Sequence, residues 1–153
     1  MSTPSVLFVC MGNICRSPLA EGAMRDTAAR AGVGLETDSA GTGNWHAGDP
    51  PDPRARAVAA RHGCDISDLR ARQVRAEDFH RFDHIIAMDT DNLADLRRLD
   101  PGDGKAVLSL MLDHAPGREG RSVADPYYGG TDGFETTWRD VSAAAEGLLG
   151  KLR

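Results

Sequence analysis

The sequence predicts an α/β fold of three layers (α/β/α), with helices on both faces of a four-stranded parallel sheet. Short apolar runs alternate with segments of helical periodicity, and this alternation is typical of parallel sheets. The 153 residues fit a single domain over 1–153, which is long enough to bury a core without cross-links. We find no internal repeat and no low-complexity segment.

The strands and the first three helices follow in order from this pattern. Each strand is a short apolar run, predicted at residues 6–10, 36–40, 84–88 and 107–110. The helices are predicted at residues 18–31, 53–62 and 89–99. Pro18 and Pro53 open the first two, because proline has no N–H to leave unpaired in the first helical turn.

A last helix is predicted to start at Asp132. The Asp132 carboxylate can cap this helix while Glu135 closes a capping box. The apolar face behind it keeps a period near 3.6 residues and consists of Phe134, Trp138, Val141, Leu148 and Leu152. Trp138 is therefore expected to lie in the core and not in a ligand site.

Two long irregular segments, residues 42–52 and 116–133, are rich in glycine, proline and aspartate. Ligands of open parallel sheets bind beyond the carboxyl ends of the strands, and Cys10, Ser39 and Met88 fall at such ends. The two segments are predicted to wall a pocket over Cys10.

The strongest functional signal lies between the first strand and the first helix. This segment reads Cys10, Met11, Gly12, Asn13, Ile14, Cys15, Arg16, Ser17. A helix N-terminus and a guanidinium both stabilise a thiolate, so Cys10 is a candidate nucleophile. The loop N–H groups and Arg16 would bind the non-reacting oxygens of a phosphoryl group. The pattern indicates phosphoryl transfer through cysteine.

Other residues of this loop suit the same chemistry. Gly12 lacks a Cβ that would crowd the anion, and Asn13 tolerates a left-handed backbone angle. Ser17 can donate a hydrogen bond to the Cys10 sulfur, which helps it both as thiolate and as leaving group. A buried structural cysteine at the end of a strand is the alternative interpretation.

Across nearly its whole length, from about Ser5, the chain resembles the low-molecular-weight protein tyrosine phosphatases. The matching segments are 9–18, Ser39-Ala40-Gly41, Asp52-Pro53-Arg54-Ala55, Ala71-Arg72-Gln73 and Asp125-Pro126-Tyr127-Tyr128-Gly129. Gly43-Asn44-Trp45-His46 is more similar to bacterial members than to animal ones. The resemblance implies the phosphotyrosine phosphatase I fold, which is flavodoxin-like or Rossmann-like.

The resemblance implies that Asp125 is the general acid, which protonates the leaving group and later activates water. Four Asp-Pro pairs occur, at 49, 52, 100 and 125, and only the last is followed by two tyrosines. In the family, aromatic residues at the positions of Trp45 and Tyr127 flank the substrate, so these two and Tyr128 are candidate walls of a phosphotyrosine pocket. Packing of one or more of them beneath their own loops is the alternative.

The resemblance also implies supporting residues around the loop. Ser39 is expected to hydrogen-bond Asn13 and to support the loop together with Ser17. Cys15 is expected to form a reversible disulfide with Cys10 under oxidation, or else to pack as a small apolar residue. Leu69 is a departure, because the family often has a histidine at this position that joins the same network.

Composition limits the partners and the setting. A net charge of −5 without a basic stripe argues against nucleic acid. Three cysteines at irregular spacing predict neither a disulfide framework nor a metal site, and no cofactor is expected, because the loop supplies the electrostatics itself. The first apolar stretch is too short for a signal or a membrane segment, so we expect a cytoplasmic protein.

The expected function is hydrolysis of phosphotyrosine monoesters in proteins through a phosphocysteine, opposed by a cognate tyrosine kinase. A protein-arginine phosphatase is one alternative. In such phosphatases a threonine at the position of Ile14 is associated with selection of phosphoarginine, so Ile14 favours phosphotyrosine. An arsenate reductase of the same fold needs two further cysteines, and only Cys64 lies outside the loop. A phosphopeptide-binding module is the non-enzymatic alternative. Inactive relatives of enzymes usually lose the nucleophile or the acid, whereas this chain has both Cys10 and Asp125. The segment also lacks the Gly-Lys-Ser/Thr and Gly-x-Gly-x-x-Gly signatures of nucleotide-binding loops.

Overall fold

A four-stranded, all-parallel sheet forms the centre of the computed structural model, which describes residues 3–153. The first two residues of the predicted domain lie outside this range. The strands are β1 (Ser5–Cys10), β2 (Glu36–Gly41), β3 (His84–Ala87) and β4 (Val107–Leu110), in the order β2-β1-β3-β4. The prediction of four parallel strands is confirmed, and each predicted end lies within one residue of the observed one.

The central strand β1 determines where the site lies. Val9 of β1 pairs with Ala40 of β2 on one side and with Ala87 of β3 on the other. Because all strands are parallel, their carboxyl ends meet at one edge of the sheet. Cys10, Gly41 and the residues after Ala87 therefore lie near one another.

Five α-helices of the described chain cover the two faces of the sheet. They are α1 (Arg16–Ala31), α2 (Pro53–Arg61), α3 (Asp78–Arg81), α4 (Thr90–Leu99) and α5 (Thr131–Leu152), with a 3-10 helix (Met111–His114) after β4. Side chains of β1 alternate between two cores, as the period of a strand requires. Val6 and Phe8 pack with α1, α2 and α5, whereas Leu7 and Val9 pack with α3 and α4. The three-layer prediction is thus confirmed.

Three helix starts differ from the prediction. Helix α4 begins at Thr90, one residue after the predicted start, because Asp89 is its cap. Helix α1 begins at Arg16, two residues before Pro18, so the phosphate-loop arginine already belongs to the helix. Helix α5 begins at Thr131 with Gly130 at the cap position, and the predicted capping box of Asp132 and Glu135 is wrong.

The capping box does not form because the Glu135 side chain has partners on another helix. The Glu135 carboxylate binds Arg61 Nε at 3.1 Å and His62 Nε2 at 2.9 Å, so it is held by the end of α2. His62 also stacks on Trp138, with ring centroids 5.2 Å apart. Trp138 is buried, which confirms its predicted place in the core.

The two shortest helices, α3 and the 3-10 helix, were not predicted, because each has only four residues and shows no helical period. Within residues 3–153, no helix has the length and apolar character needed to cross a membrane.

Candidate active site

The segment between β1 and α1 directs its backbone carbonyls toward the surrounding protein. Three carbonyls accept hydrogen bonds of 2.8–3.1 Å from backbone N–H groups: Cys10 from Thr42, Met11 from Gly43, and Ile14 from Asp52. Among the described residues, no protein acceptor takes a hydrogen bond from the backbone N–H groups of residues 11–17. The loop therefore presents a set of free donors at the N-terminus of α1, as anion-binding loops do.

Asn13 stabilises this loop through its buried side chain. Its Nδ2 donates to Ser17 Oγ at 2.8 Å and to Ser39 Oγ at 3.0 Å. Its Oδ1 accepts a 3.0 Å hydrogen bond from the backbone N–H of Arg72. Asn13 has a φ of 59° and is the one non-glycine residue of the described chain with a positive φ. The expected contact with Ser39 is present, and Arg72 is a partner that the sequence analysis missed.

Ser17 connects this network to the sulfur of Cys10. The Ser17 Oγ lies 3.0 Å from the Cys10 Sγ, and both atoms are buried. Because the Ser17 oxygen already accepts from Asn13 Nδ2, its own hydrogen is free to point at the sulfur. A Cys10 thiolate has no hydrogen of its own, so Ser17 is the donor to it, and this hydrogen bond stabilises the thiolate.

Arg16 is held under the loop by two strong contacts. Its Nη1 donates to Asp89 Oδ2 at 2.7 Å and to the carbonyl of Val123 at 3.0 Å, and the side chain is only 5% exposed. Burial alone would lower the pKa of Arg16, but the charges of Cys10, Asp89 and Asp125 outweigh it and raise that pKa. The guanidinium therefore stays charged and fixed in orientation.

Asp89 is a functional residue that the sequence analysis assigned only to a helix start. Its Oδ1 caps α4 by accepting from the backbone N–H of Asn92 at 2.7 Å, while Oδ2 binds Arg16. One carboxylate thus orients the guanidinium and begins a helix. The sequence did contain a signal for this role, because Asp89 follows β3 and therefore lies at the same sheet edge as Cys10.

Asp125 lies at the mouth of the site. Its Oδ1 accepts from the backbone N–H of Tyr127 at 3.0 Å, which forms a local turn. Its Oδ2 lies 3.7 Å from Arg16 Nη2, and the carboxylate is 37% exposed. The structure therefore places Asp125 in the wall of the same cavity as Cys10, partly open to solvent.

A cavity of about 190 Å³ lies over Cys10. Its floor is the loop, and its walls come from the two irregular segments. The lining residues are Cys10, Met11, Gly12, Asn13, Ile14, Cys15, Arg16, His46, Asp125, Tyr127 and Tyr128. The two tyrosine rings meet edge to face at 5.0 Å, and Tyr128 is 89% exposed. Both predicted tyrosine walls are thus present at the cavity.

Trp45, in contrast, does not line this cavity. Its ring lies against Gly43, so close that a Cβ at that position would overlap the ring. The side chain is 70% exposed and borders a separate groove with Leu99. The wall expected from Trp45 is supplied by His46, whose ring packs over Gly12.

The second thiol of the loop differs chemically from the first. Burial raises the pKa of Cys15 to about 12, and the charges of Asp52, Cys10 and Asp125 add to the effect. Cys15 therefore remains a thiol at neutral pH and is a poor nucleophile. All three cysteines, Cys64 included, are free.

Leu69 lies half-buried against the core formed with α1, α2 and α5. A leucine side chain cannot hydrogen-bond, so it contributes nothing to the Asn13 network.

Among the described residues, no group of three or more His, Cys, Asp or Glu side chains is arranged to hold a metal ion.

The fold and the loop together define a class of α/β proteins in which a cysteine thiol and a loop of free backbone N–H donors lie at the carboxyl end of the central strand. A family model described as "Low molecular weight phosphotyrosine protein phosphatase" matches residues 5–153. The chain belongs to this family.

Individual relatives agree with that assignment over most of their length. The chain is 47% identical to a low molecular weight protein-tyrosine-phosphatase of Streptomyces coelicolor, covering 99% of this chain and 94% of the relative. It is 43% identical to low molecular weight phosphotyrosine protein phosphatase 1 of Drosophila melanogaster, covering 94% of each. The crystal structure of YfkJ from Bacillus subtilis is similar with a TM-score of 0.91 and 40% identity, covering 99% of this chain and 95% of that one.

Proposed function

We propose that this protein is a protein-tyrosine phosphatase that hydrolyses phosphotyrosine through a phosphocysteine intermediate. One observation carries the proposal: the Cys10 sulfur lies 3.0 Å from the Ser17 hydroxyl, inside a loop whose backbone N–H groups are free among the described residues. A nucleophile and an oxyanion site therefore coincide, as phosphoryl transfer requires.

In the first step, the Cys10 thiolate attacks phosphorus and forms an S–P bond while the P–O bond to the phenol breaks. Arg16 and the N–H groups of residues 11–17 hold the equatorial oxygens. Asp125 gives its proton to the departing phenolate, so the phenol leaves neutral and Asp125 becomes a carboxylate.

In the second step, Asp125 takes a proton from water, and the resulting hydroxide forms a P–O bond as the S–P bond breaks. The electron pair returns to the Cys10 sulfur, where the Ser17 hydroxyl stabilises the thiolate. Inorganic phosphate leaves and Asp125 is protonated again, which closes the cycle. Charge stabilisation comes from fixed protein donors at each stage.

The walls of the cavity support the substrate class. Tyr127 and Tyr128 line it above the loop, and aromatic faces suit a flat phenyl phosphate better than the short side chain of phosphoserine. Ile14 lines the floor at the position where threonine accompanies phosphoarginine selectivity. Phosphotyrosine proteins are the proposed substrates, with a cognate tyrosine kinase as the opposing enzyme.

The setting we propose is the reducing cytoplasm of a bacterium, because Cys10 must remain a free thiol. Residues 1–153 would act as one phosphatase domain. Cys15 lies on the same loop and is the proposed disulfide partner of Cys10 when peroxide oxidises the site.

The test is phosphate release from matched phosphotyrosine, phosphoserine and phosphoarginine peptides. Cys10→Ser is the inactive comparison, and Cys64→Ser, which alters a thiol outside the loop, is the matched control. We expect release from the phosphotyrosine peptide alone, lost in Cys10→Ser and kept in Cys64→Ser. Preference for phosphoarginine, or release that survives Cys10→Ser, would overturn the proposal. Binding of a phosphopeptide without any turnover would indicate a binding module.

A further inference from the structure

Arg54, in the first turn of α2, reaches across to the segment that carries Asp125. Its guanidinium carbon lies 5.4 Å from the centre of the Tyr127 ring and 4.7 Å from that of Phe134. Its Nη1 donates to the carbonyl of Gly129 at 3.4 Å. One side chain therefore contacts the acid segment (residues 124–130) at two points and the start of α5 at a third.

The other side of Arg54 is fixed to the phosphate loop through Asp52. Asp52 Oδ1 accepts from the Arg54 backbone N–H at 2.8 Å and from Nε at 3.1 Å, and Oδ2 accepts from Nη2 at 3.0 Å. These hydrogen bonds from Arg54 lower the pKa of Asp52 and keep it ionised. The Asp52 backbone N–H donates to the carbonyl of Ile14 at 2.8 Å. A continuous set of contacts thus joins the thiol loop to the acid segment.

The acid segment has few other attachments in the described structure. Two of its remaining hydrogen bonds, Tyr127 N–H to Asp125 and Gly129 N–H to Pro126, lie within the segment, and a third joins Gly133 N–H to the Gly130 carbonyl at the junction with α5. Before the junction with α5, the Asp125–Arg16 ion pair at 3.7 Å is its one further polar contact with the rest of the described chain. Val123, directly before the segment, is anchored to Met88 and Arg16, and Pro126 is buried. Arg54 therefore provides the side-chain attachment on the far side of Asp125, at Tyr127 and Gly129.

We propose that Arg54 is a positioning residue that holds the acid segment so that Asp125 can protonate the leaving group. Arg54 does not line the cavity, so it acts through Asp125 and Tyr127 and not on the substrate. This inference rests on the proposed phosphatase function. It assigns to Arg54 an effect on proton transfer, whereas binding of the phosphoryl group remains with the loop.

The consequence is a selective loss of activity. Phenol is a poor leaving group that needs the proton of Asp125, whereas 2,4-dinitrophenolate departs without one. Arg54→Lys keeps the charge but cannot bind both Asp52 oxygens, stack on two rings and reach Gly129 at once. We expect kcat/KM to fall by about 10-fold or more on phenyl phosphate and by less than about 2-fold on 2,4-dinitrophenyl phosphate.

The test compares wild type, Arg54→Lys, Arg54→Gln, Asp125→Ala and the double variant Arg54→Lys/Asp125→Ala on both esters. Arg56→Lys is the matched control, because Arg56 lies on the same helix and its side chain hydrogen-bonds, within the described part of the chain, only to the carbonyl of Pro51. In the Asp125→Ala background, Arg54→Lys should cause no further selective loss, since the proton donor is already absent.

Equal losses on both esters, or a selective loss that persists without Asp125, would overturn the positioning role. Both Arg54 variants must agree, so a folding defect in one does not decide the result. A wild-type protein that releases phosphate from neither ester would refute the proposed function itself, and the positioning role would fall with it.

Discussion

Replacing Asn13 tests the loop most directly, because one side chain supports both the backbone angle and the hydrogen bonds. Asn13→Ala removes three hydrogen bonds, two buried ones to Ser17 and Ser39 and a part-buried one from the Arg72 N–H. At about 1 kcal/mol each, their loss lowers the free energy of unfolding by about 3 kcal/mol. Alanine must also adopt the φ of 59°, which costs about 1 kcal/mol more.

Asn13→Gly separates the two contributions. Glycine loses the same hydrogen bonds but adopts a positive φ freely, so it should be about 1 kcal/mol more stable than the alanine variant. Urea unfolding at neutral pH gives both values. The rate at which iodoacetate alkylates Cys10 reports on the loop, and it should fall in both variants, because Ser17 loses the partner that directs its hydrogen to the sulfur.

Two outcomes would refute this reasoning. Equal unfolding free energies for Asn13→Ala and Asn13→Gly would mean that the backbone angle carries no strain. Alkylation of Cys10 at the wild-type rate in both variants would mean that the Asn13 network does not act on the thiol. Ser39→Ala, which removes one of the three bonds, should lie between wild type and Asn13→Gly in stability.

Two further predictions concern protonation and packing. Burial, aided by the charge of Lys151, lowers the pKa of His114 from 6.5 to about 4, so the native state excludes a proton that the unfolded chain binds. As pH falls from 6.5 to 4, this residue should lower the free energy of unfolding by about 3 kcal/mol. Denaturant titrations at several pH values should show that His114→Gln lacks this part of the fall. Parallel curves of unfolding free energy against pH for wild type and variant would contradict the prediction. Gly41→Ala places a Cβ 2.7 Å from the carbonyl oxygen of Met11, so the loop must shift and phosphatase activity should fall at least about 10-fold. Gly34→Ala, which meets open space, is the control, and equal activity of the two variants would refute the steric argument.

The sheet was predictable because its signals are local. A strand such as β1 is a continuous apolar run, and its position along the chain follows from that run alone. The start of α5 was not predictable in the same way, because Glu135 has a plausible local role as a cap. Its observed partners, Arg61 and His62, come from a different helix.

The site residues with a local sequence signal were also predictable, whereas those whose role depends on tertiary contacts were not. Cys10 and Arg16 belong to one short segment, and the structure brings them together with Asp125, which the family resemblance indicated. Arg72 was missed because it contributes a backbone N–H, which no residue type reveals. Trp45 lies outside the cavity, because its ring folds back over Gly43, and His46 lines the wall in its place; nothing in the sequence indicates this arrangement.

The contacts of Arg16 also determine when, during synthesis of the chain, its guanidinium can become oriented. Its two partners, Asp89 and the carbonyl of Val123, follow it by 73 and 107 residues. A ribosome therefore releases the thiol loop long before the groups that orient its guanidinium exist. Native contacts over such separations form slowly, and a nascent chain that ends before Val123 carries the whole loop without an aligned arginine. Turnover by a growing chain would thus begin only once most of the polypeptide has emerged.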